Sequence, residues 1–193
     1  MKSVCVFCGS SMGANPAFEQ AAVTLGGLLA ERGLKLVYGG GNIGLMGVVA
    51  DAAMSAGGEV MGVIPRALAD KELAHHGVTE LRVVRSMHER KALMADCADA
   101  FIAMPGGYGT LEELCEVITW SQLGMHNKPC GLLNVAGYYD ALLRQFDDGV
   151  SGRFIRPQHR AIVLSAADPE SLLEKLSAQR LPRAEKWIEK DET

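Results

Sequence analysis

The sequence has no basic run, no apolar stretch long enough to cross a membrane, and no regular cysteine framework. Each absence closes off a class of function. Non-specific and much specific nucleic-acid binding comes from neutralising phosphates with clustered Lys and Arg. A chain of net charge −4 without such a cluster is not expected to bind nucleic acid. A local basic pocket for one small phosphate stays open. A spanning helix needs roughly 20 consecutive apolar residues, and none occurs, so no membrane partner is expected. The apolar residues between Lys2 and Cys8-Gly9-Ser10-Ser11 are too few for a signal-peptide core, which points to the cytoplasm. The five cysteines are an odd number, as expected of buried thiols in a reducing compartment. Cys5 and Cys8 form a CxxC, but in the first strand rather than at a helix start. Zinc would need a second ligand pair, for which His75-His76 is a poor candidate. No metal and no cofactor are expected, and there is no internal repeat or domain linker.

What is present suits one globular domain. The chain has 193 residues, 48% apolar and 22% charged, enough to bury a proper core. The expected domain runs over 1–182, with a charged, solvated tail over 183–193. Short continuous apolar runs alternate with helical patterns: Val4 to Phe7, Leu34 to Tyr38, Glu59 to Ile64, Thr79 to Val84, Ala100 to Met104, Pro129 to Asn134 and Ala161 to Leu164 read as strands. Asn15-Pro16 and Asp168-Pro169 start helices, and Gly33 stops one. Pro65 to Gly77 reads as a polar surface loop with room for a short helix. Strands apolar throughout belong to a parallel sheet covered on both faces, so the expected fold class is α/β, a Rossmann-like doubly wound parallel sheet. In such folds ligands bind at the carboxyl ends of the strands.

The stretch with the most chemistry is Pro105-Gly106-Gly107-Tyr108-Gly109-Thr110-Leu111-Glu112-Glu113. It links a strand to a helix. Its glycines let backbone N–H groups approach a ligand, Thr110 is placed to N-cap the helix, and a helix N-terminus suits a phosphate. Glu113 then falls in the first turn, a carboxylate beside an anion cradle. The helix that follows is apolar on two sides: Leu111, Leu114, Cys115 and Ile118 form one stripe, and Val117 and Trp120 lie with Glu113 on the other. One side should meet the sheet and the Val117–Trp120 side a second copy of the chain. In Met87-His88-Glu89-Arg90-Lys91, Arg90 shares a face with Leu93, Met94 and Cys97, so it is expected to aim into the cleft rather than into solvent. His88 and Glu89 should be solvated. Gly39-x-Gly41-x-x-Gly44 has dinucleotide-fingerprint spacing, but it follows the second strand, and the acid expected after the next strand is missing, since that strand ends Val63-Ile64-Pro65. A wall for a mononucleotide accounts for these glycines better.

The nonapeptide resembles the PGGxGTxxE motif of the LONELY GUY family, and the likeness extends to Cys8-Gly9-Ser10-Ser11, to Gly39 through Gly47 and to Met87 through Lys91. The family is known for cytokinin riboside 5'-monophosphate phosphoribohydrolases, once labelled lysine decarboxylases. The resemblance implies Arg90 and Glu113 as the catalytic pair. It implies a substrate-binding set of Ser10, Gly41, Glu72, Met87, Lys91, Gly106, Gly107, Tyr108, Gly109, Thr110, Leu111, Glu112 and Thr119; Glu72 and Thr119 enter it through the resemblance alone. The expected reaction is hydrolysis of the N-glycosidic bond of a purine nucleoside 5'-monophosphate by a homodimer. A non-catalytic nucleotide or cofactor carrier is the alternative. The decarboxylase label is not expected to hold, because no recognisable pyridoxal arrangement accompanies Lys91.

Overall fold

The computed structural model describes residues 1–180, apart from the side chain of Glu72; the tail expected over 183–193 lies outside the described residues. Seven strands form one sheet: β1 (Ser3–Phe7), β2 (Lys35–Tyr38), β3 (Val60–Pro65), β4 (Glu80–Val84), β5 (Ala100–Ala103), β6 (Cys130–Leu133) and β7 (Val163–Ala166). Their order is β4-β3-β2-β1-β5-β6-β7, and every pair is parallel. Five strands (β1, β3, β5, β6 and all but the first residue of β2) are buried end to end, which is why they read as continuous apolar runs. The edge strand β4, Glu80-Leu81-Arg82-Val83-Val84, is half exposed and charged, as an edge requires.

The helices are α1 (Pro16–Glu31), α2 (Gly44–Ser55), the short α3 (Arg66–Leu68), α4 (Met87–Asp96), α5 (Tyr108–Gln122), α6 (Asp140–Ser151), the short α7 (Pro157–Arg160) and α8 (Pro169–Ala178). Val4 and Val6 of β1 point to one face and pack with Leu25 and Leu29 of α1, Val49 of α2 and Leu172 of α8. Cys5 and Phe7 point to the other and pack with Met94 of α4 and Val117 of α5. Cys8 falls with the first set, so the CxxC thiols lie on opposite faces of the strand, both buried and free. Caps fix the helix starts. Asn15 accepts from the Ala17 N–H at 3.0 Å and Asp168 from the Ser171 N–H at 2.9 Å.

Two sequence expectations need revision here. The segment after β3 holds the short helix, but it is not solvated throughout. Pro65 ends the strand, α3 and a π-helical turn (Ala69–Leu73) follow, and Ala74 is buried in a bridge to Gly41. The Asn42 N–H donates to the Leu73 carbonyl and the His75 N–H to the Gly40 carbonyl. The glycines after β2 leave backbone groups that this polar segment satisfies. On the Val117–Trp120 side of α5, expected to meet a second copy, Val117 is 2% exposed and covered by this chain's own core, while the half-buried Trp120 packs against the same cluster as Phe7 and Phe101. Helix α5 rides above the sheet, with Leu114 facing a neighbouring cluster around Ala103 and Tyr139, while Cys115 and part of Ile118 on that stripe stay exposed.

Candidate active site

The chain leaves β1 towards β2 and leaves β5 towards β6, although β1 and β5 are neighbours. The turns after these two strands therefore diverge and open a crevice at their carboxyl ends. They are tied at its floor, where the Gly9 N–H donates to the Pro105 carbonyl at 3.1 Å. The resulting cleft encloses about 430 Å³, within the range of roughly 300–1,000 Å³ usual for small-molecule sites. One flank is Gly107, Tyr108, Gly109 and Thr110 at the start of α5. The other is Gly41, Ile43 and Met46 after β2, with Ile64, Leu68 and Leu73 after β3. Ser10 borders it from β1, and Met87 and Arg90 enter from α4.

Helix α5 starts earlier than its sequence suggests. Gly107, with extended φ/ψ of −93° and −154°, is the N-cap, so Thr110 is the third helical residue and Glu113 lies in the second turn rather than the first. Thr110 is buried because its side chain fills the place a Cβ on Gly106 would occupy: that atom would lie 2.1 Å from Thr110 Oγ1. Only glycine fits there. The first N–H groups of α5 still have no intrahelical acceptors and face the cleft flank. The cap of α5 is Gly107 rather than Thr110.

Helix α4 presents Arg90. Ser86 Oγ accepts from the Glu89 N–H at 3.1 Å, and Glu89 Oε2 accepts from the Arg85 N–H at 2.8 Å. Glu89 thus ties the start of α4 to the residue before its cap, a structural acid rather than a merely solvated one. One residue on, Arg90 is 8% exposed. Its guanidinium lies against Gly39: a Cβ there would fall 1.9 Å from Arg90 Nη2. The first glycine of the Gly39-x-Gly41-x-x-Gly44 run thus makes room for the arginine. Arg90 Nη2 is 3.8 Å from Glu113 Oε1, too long for a hydrogen bond, and Arg90 Nε is buried with no hydrogen-bond partner among the described residues. Arg90 thus borders the cleft without a hydrogen bond to Glu113. Burial pushes the Glu113 carboxyl up to about 7, with Arg90 opposing and Glu112 adding to the rise.

Lys91 points away from the cleft. Its ammonium is held at 2.5 Å from Glu112 Oε1 and 3.0 Å from Glu116 Oε1. Burial lowers its pKa, but the hydrogen bonds it donates to Glu112 and Glu116 outweigh that and raise it. Leu111 packs beneath α5 against the Leu114 cluster, and Gly106 sits behind the flank. Thr119 is three turns along α5, exposed, with its hydroxyl donating to the Cys115 carbonyl at 2.7 Å. It borders a separate depression of about 180 Å³. Glu72 lies in the π-helical turn, its side chain outside the described residues. The structure thus brings together Ser10, Gly41, Met87, Arg90, Gly107 to Thr110, Glu112 and Glu113, and leaves Lys91, Gly106, Leu111 and Thr119 off the cleft wall. The apolar flank of Ile43, Met46, Ile64, Leu68 and Leu73 escaped the sequence reading, because such residues look like ordinary core.

Residues 46–176 match a family model described as "possible lysine decarboxylase". A cytokinin riboside 5'-monophosphate phosphoribohydrolase of Arabidopsis thaliana is 54% identical over 91% of this chain and 81% of its own. A probable enzyme of the same name from rice, Oryza sativa subsp. japonica, is 57% identical over 91% of this chain and 77% of its own. The chain belongs to the LONELY GUY family. The alignment of a LONELY GUY chain to its relatives spans the turns that build the cleft, whereas the family model begins only at Met46. The decarboxylase description sits poorly on this LONELY GUY cleft. A lysine that forms a Schiff base must lose its proton, and Lys91 is held as an ammonium by two carboxylates outside the cleft. Among solved structures, the molybdenum cofactor binding protein of Rippkaea orientalis superposes with a TM-score of 0.70 at 25% identity, covering 92% of this chain and 97% of that one. The molybdenum cofactor carrier protein of Chlamydomonas reinhardtii gives 0.69 at 22% identity, covering 92% and 99%, a likeness of fold.

Proposed function

We propose that this cleft hydrolyses the N-glycosidic bond of purine nucleoside 5'-monophosphates, releasing free base and ribose 5-phosphate. N6-substituted adenosine monophosphates, the class that the names of its relatives indicate, are the expected substrates, with plain AMP a further one. The observation that carries the reading is a buried carboxylate, Glu113, facing a buried arginine across 3.8 Å beside a glycine-rich helix N-terminus. Breaking the bond builds positive charge on the ribose. Glu113, once ionised, stabilises that charge, takes a proton from the attacking water, or does both. Gly107, Gly109 and Thr110 receive the 5'-phosphate, with Gly106 behind them shaping the turn. Arg90 orients the nucleotide or assists the leaving base. The flank of Met46, Leu68 and Leu73 offers an apolar wall to a hydrophobic N6 group. Lys91 belongs to this set indirectly, by fixing Glu112 at the cleft edge.

The same reading includes a cytoplasmic homodimer. Thr119 cannot reach its own cleft, and the surface around it, with Ile118, Phe146 and Ile155, is partly apolar. A second copy packed there would cover that surface. The carrier reading draws on the fold shared with the molybdenum cofactor proteins. A carrier binds its cargo and has no use for a carboxylate set to ionise near neutrality. Incubation with AMP and N6-isopentenyl AMP, followed by chromatography, separates the two: free base is expected, and tight binding without release of base from any monophosphate would favour the carrier.

A further inference from the structure

Two consecutive tyrosines grip the turn between β5 and α5. Tyr139 Oη donates to the Met104 carbonyl at 2.5 Å, buried, at the end of the strand. Tyr138 Oη donates to the Gly106 carbonyl at 2.5 Å, at the rim. The turn that delivers them is heavily fixed. Asn134 Oδ1 accepts from the Tyr139 N–H at 2.7 Å, and Asn134 Nδ2 donates to Asp140 Oδ1 at 2.8 Å. Ala136 and Gly137 adopt left-handed φ values of 51° and 72°, a cost for the alanine that a purely decorative loop would shed. Edge-to-face contacts lock the Tyr138 ring against Phe18 of α1 at 5.5 Å and against Tyr139 at 5.0 Å.

The peptide joining Gly106 to Gly107 has glycine on both sides, so little but an outside contact stops it from rotating. In a trans peptide the carbonyl and the next N–H point in opposite directions. We infer that Tyr138 is a positioning residue for phosphate: by holding the Gly106 carbonyl outward, it holds the Gly107 N–H towards the cleft that Gly107 lines. Tyr139 anchors the strand end from which that turn starts. The inference rests on the proposal that this turn receives the 5'-phosphate. Its physical content is preorganisation. A donor already aimed does not have to be ordered when the ligand arrives.

The test is Tyr138→Phe, which keeps the ring stacking and removes only a hydroxyl at a residue 44% exposed. Binding of ribose 5-phosphate and of ribose would be measured by calorimetry, with kcat and KM for AMP and Tm alongside. One neutral hydrogen bond sets the scale: ribose 5-phosphate affinity should fall, and KM rise, on the order of 3- to 10-fold. Tm and kcat should stay near wild type, which a loss of general stability would not allow. Tyr139→Phe should instead lower Tm, since it leaves a buried carbonyl without its donor. Wild-type affinity for ribose 5-phosphate in Tyr138→Phe would overturn the positioning role while leaving the phosphate site intact. Wild-type protein that binds ribose 5-phosphate no better than ribose would overturn both.

Discussion

Glu113 is 9% exposed, and its burial lifts the carboxyl to about 7. Two consequences follow from the sign of that shift. The native chain holds this proton more tightly than the unfolded chain does, so Glu113 contributes stability below its ordinary value near 4.5 that is lost as pH rises through 7. Glu113→Gln should therefore flatten the dependence of Tm on pH between 5 and 8. The reaction needs the ionised form, so kcat/KM should climb with pH and level off above about 7. A profile that is flat or falling from pH 6 to 8 would contradict the role given to the carboxylate. Arg90 makes a second residue-scale test. A side chain at Gly39 would displace its guanidinium, so Gly39→Val should cost at least about 10²-fold in kcat/KM, as misplacing a catalytic group does. Steady-state kinetics checks this, and circular dichroism checks that the fold survives. Arg90 was legible in the sequence from its place on an apolar helix face. The dependence of Arg90 on Gly39 was not, because the two are far apart in the chain and meet only through the fold.

The proposed source of specificity for the phosphate is the turn from β5 into α5. Nucleoside monophosphates should be cleaved and the matching nucleosides should not; equal turnover of AMP and adenosine would remove phosphate from the account. A side chain on Gly107 meets no protein atom within 4 Å, so Gly107→Val should fold normally yet raise KM for AMP, by tenfold or more on the order-of-magnitude scale of a blocked phosphate contact. The pattern of apolar runs and glycines was enough to read this element as a strand, a turn and a helix. It misplaced the cap by three residues, since Thr110 is a better N-cap by preference than Gly107. The close fit of Thr110 onto Gly106 overrides that preference. The two sides of α5 were also legible as apolar, but what covers each side depends on tertiary packing, and Val117 turned out to face this chain's own core.

At the scale of the whole molecule, the alternation of strands and helices was enough to recognise a parallel sheet, and the loops expected at its carboxyl edge do converge there. Strand order was not legible, because parallel crossovers of similar length can run to either side of β1. That order is what places the cleft between β1 and β5. Assembly is the remaining large-scale expectation. Sedimentation should show a dimer, and Ile118→Glu, on the partly apolar outer side of α5, should weaken it. A stable, active monomer would remove the second copy from the account. The central claim, that this is a cleft for breaking a glycosidic bond rather than for holding a nucleotide, meets its most direct test in one paired measurement. Wild type and Glu113→Gln would be given N6-isopentenyl AMP at saturating concentration, and the free base released would be followed by chromatography, with nucleotide binding measured on the same samples. The account expects turnover to fall by ~10²–10⁴-fold with binding largely kept. Near-normal release of base by Glu113→Gln would contradict it.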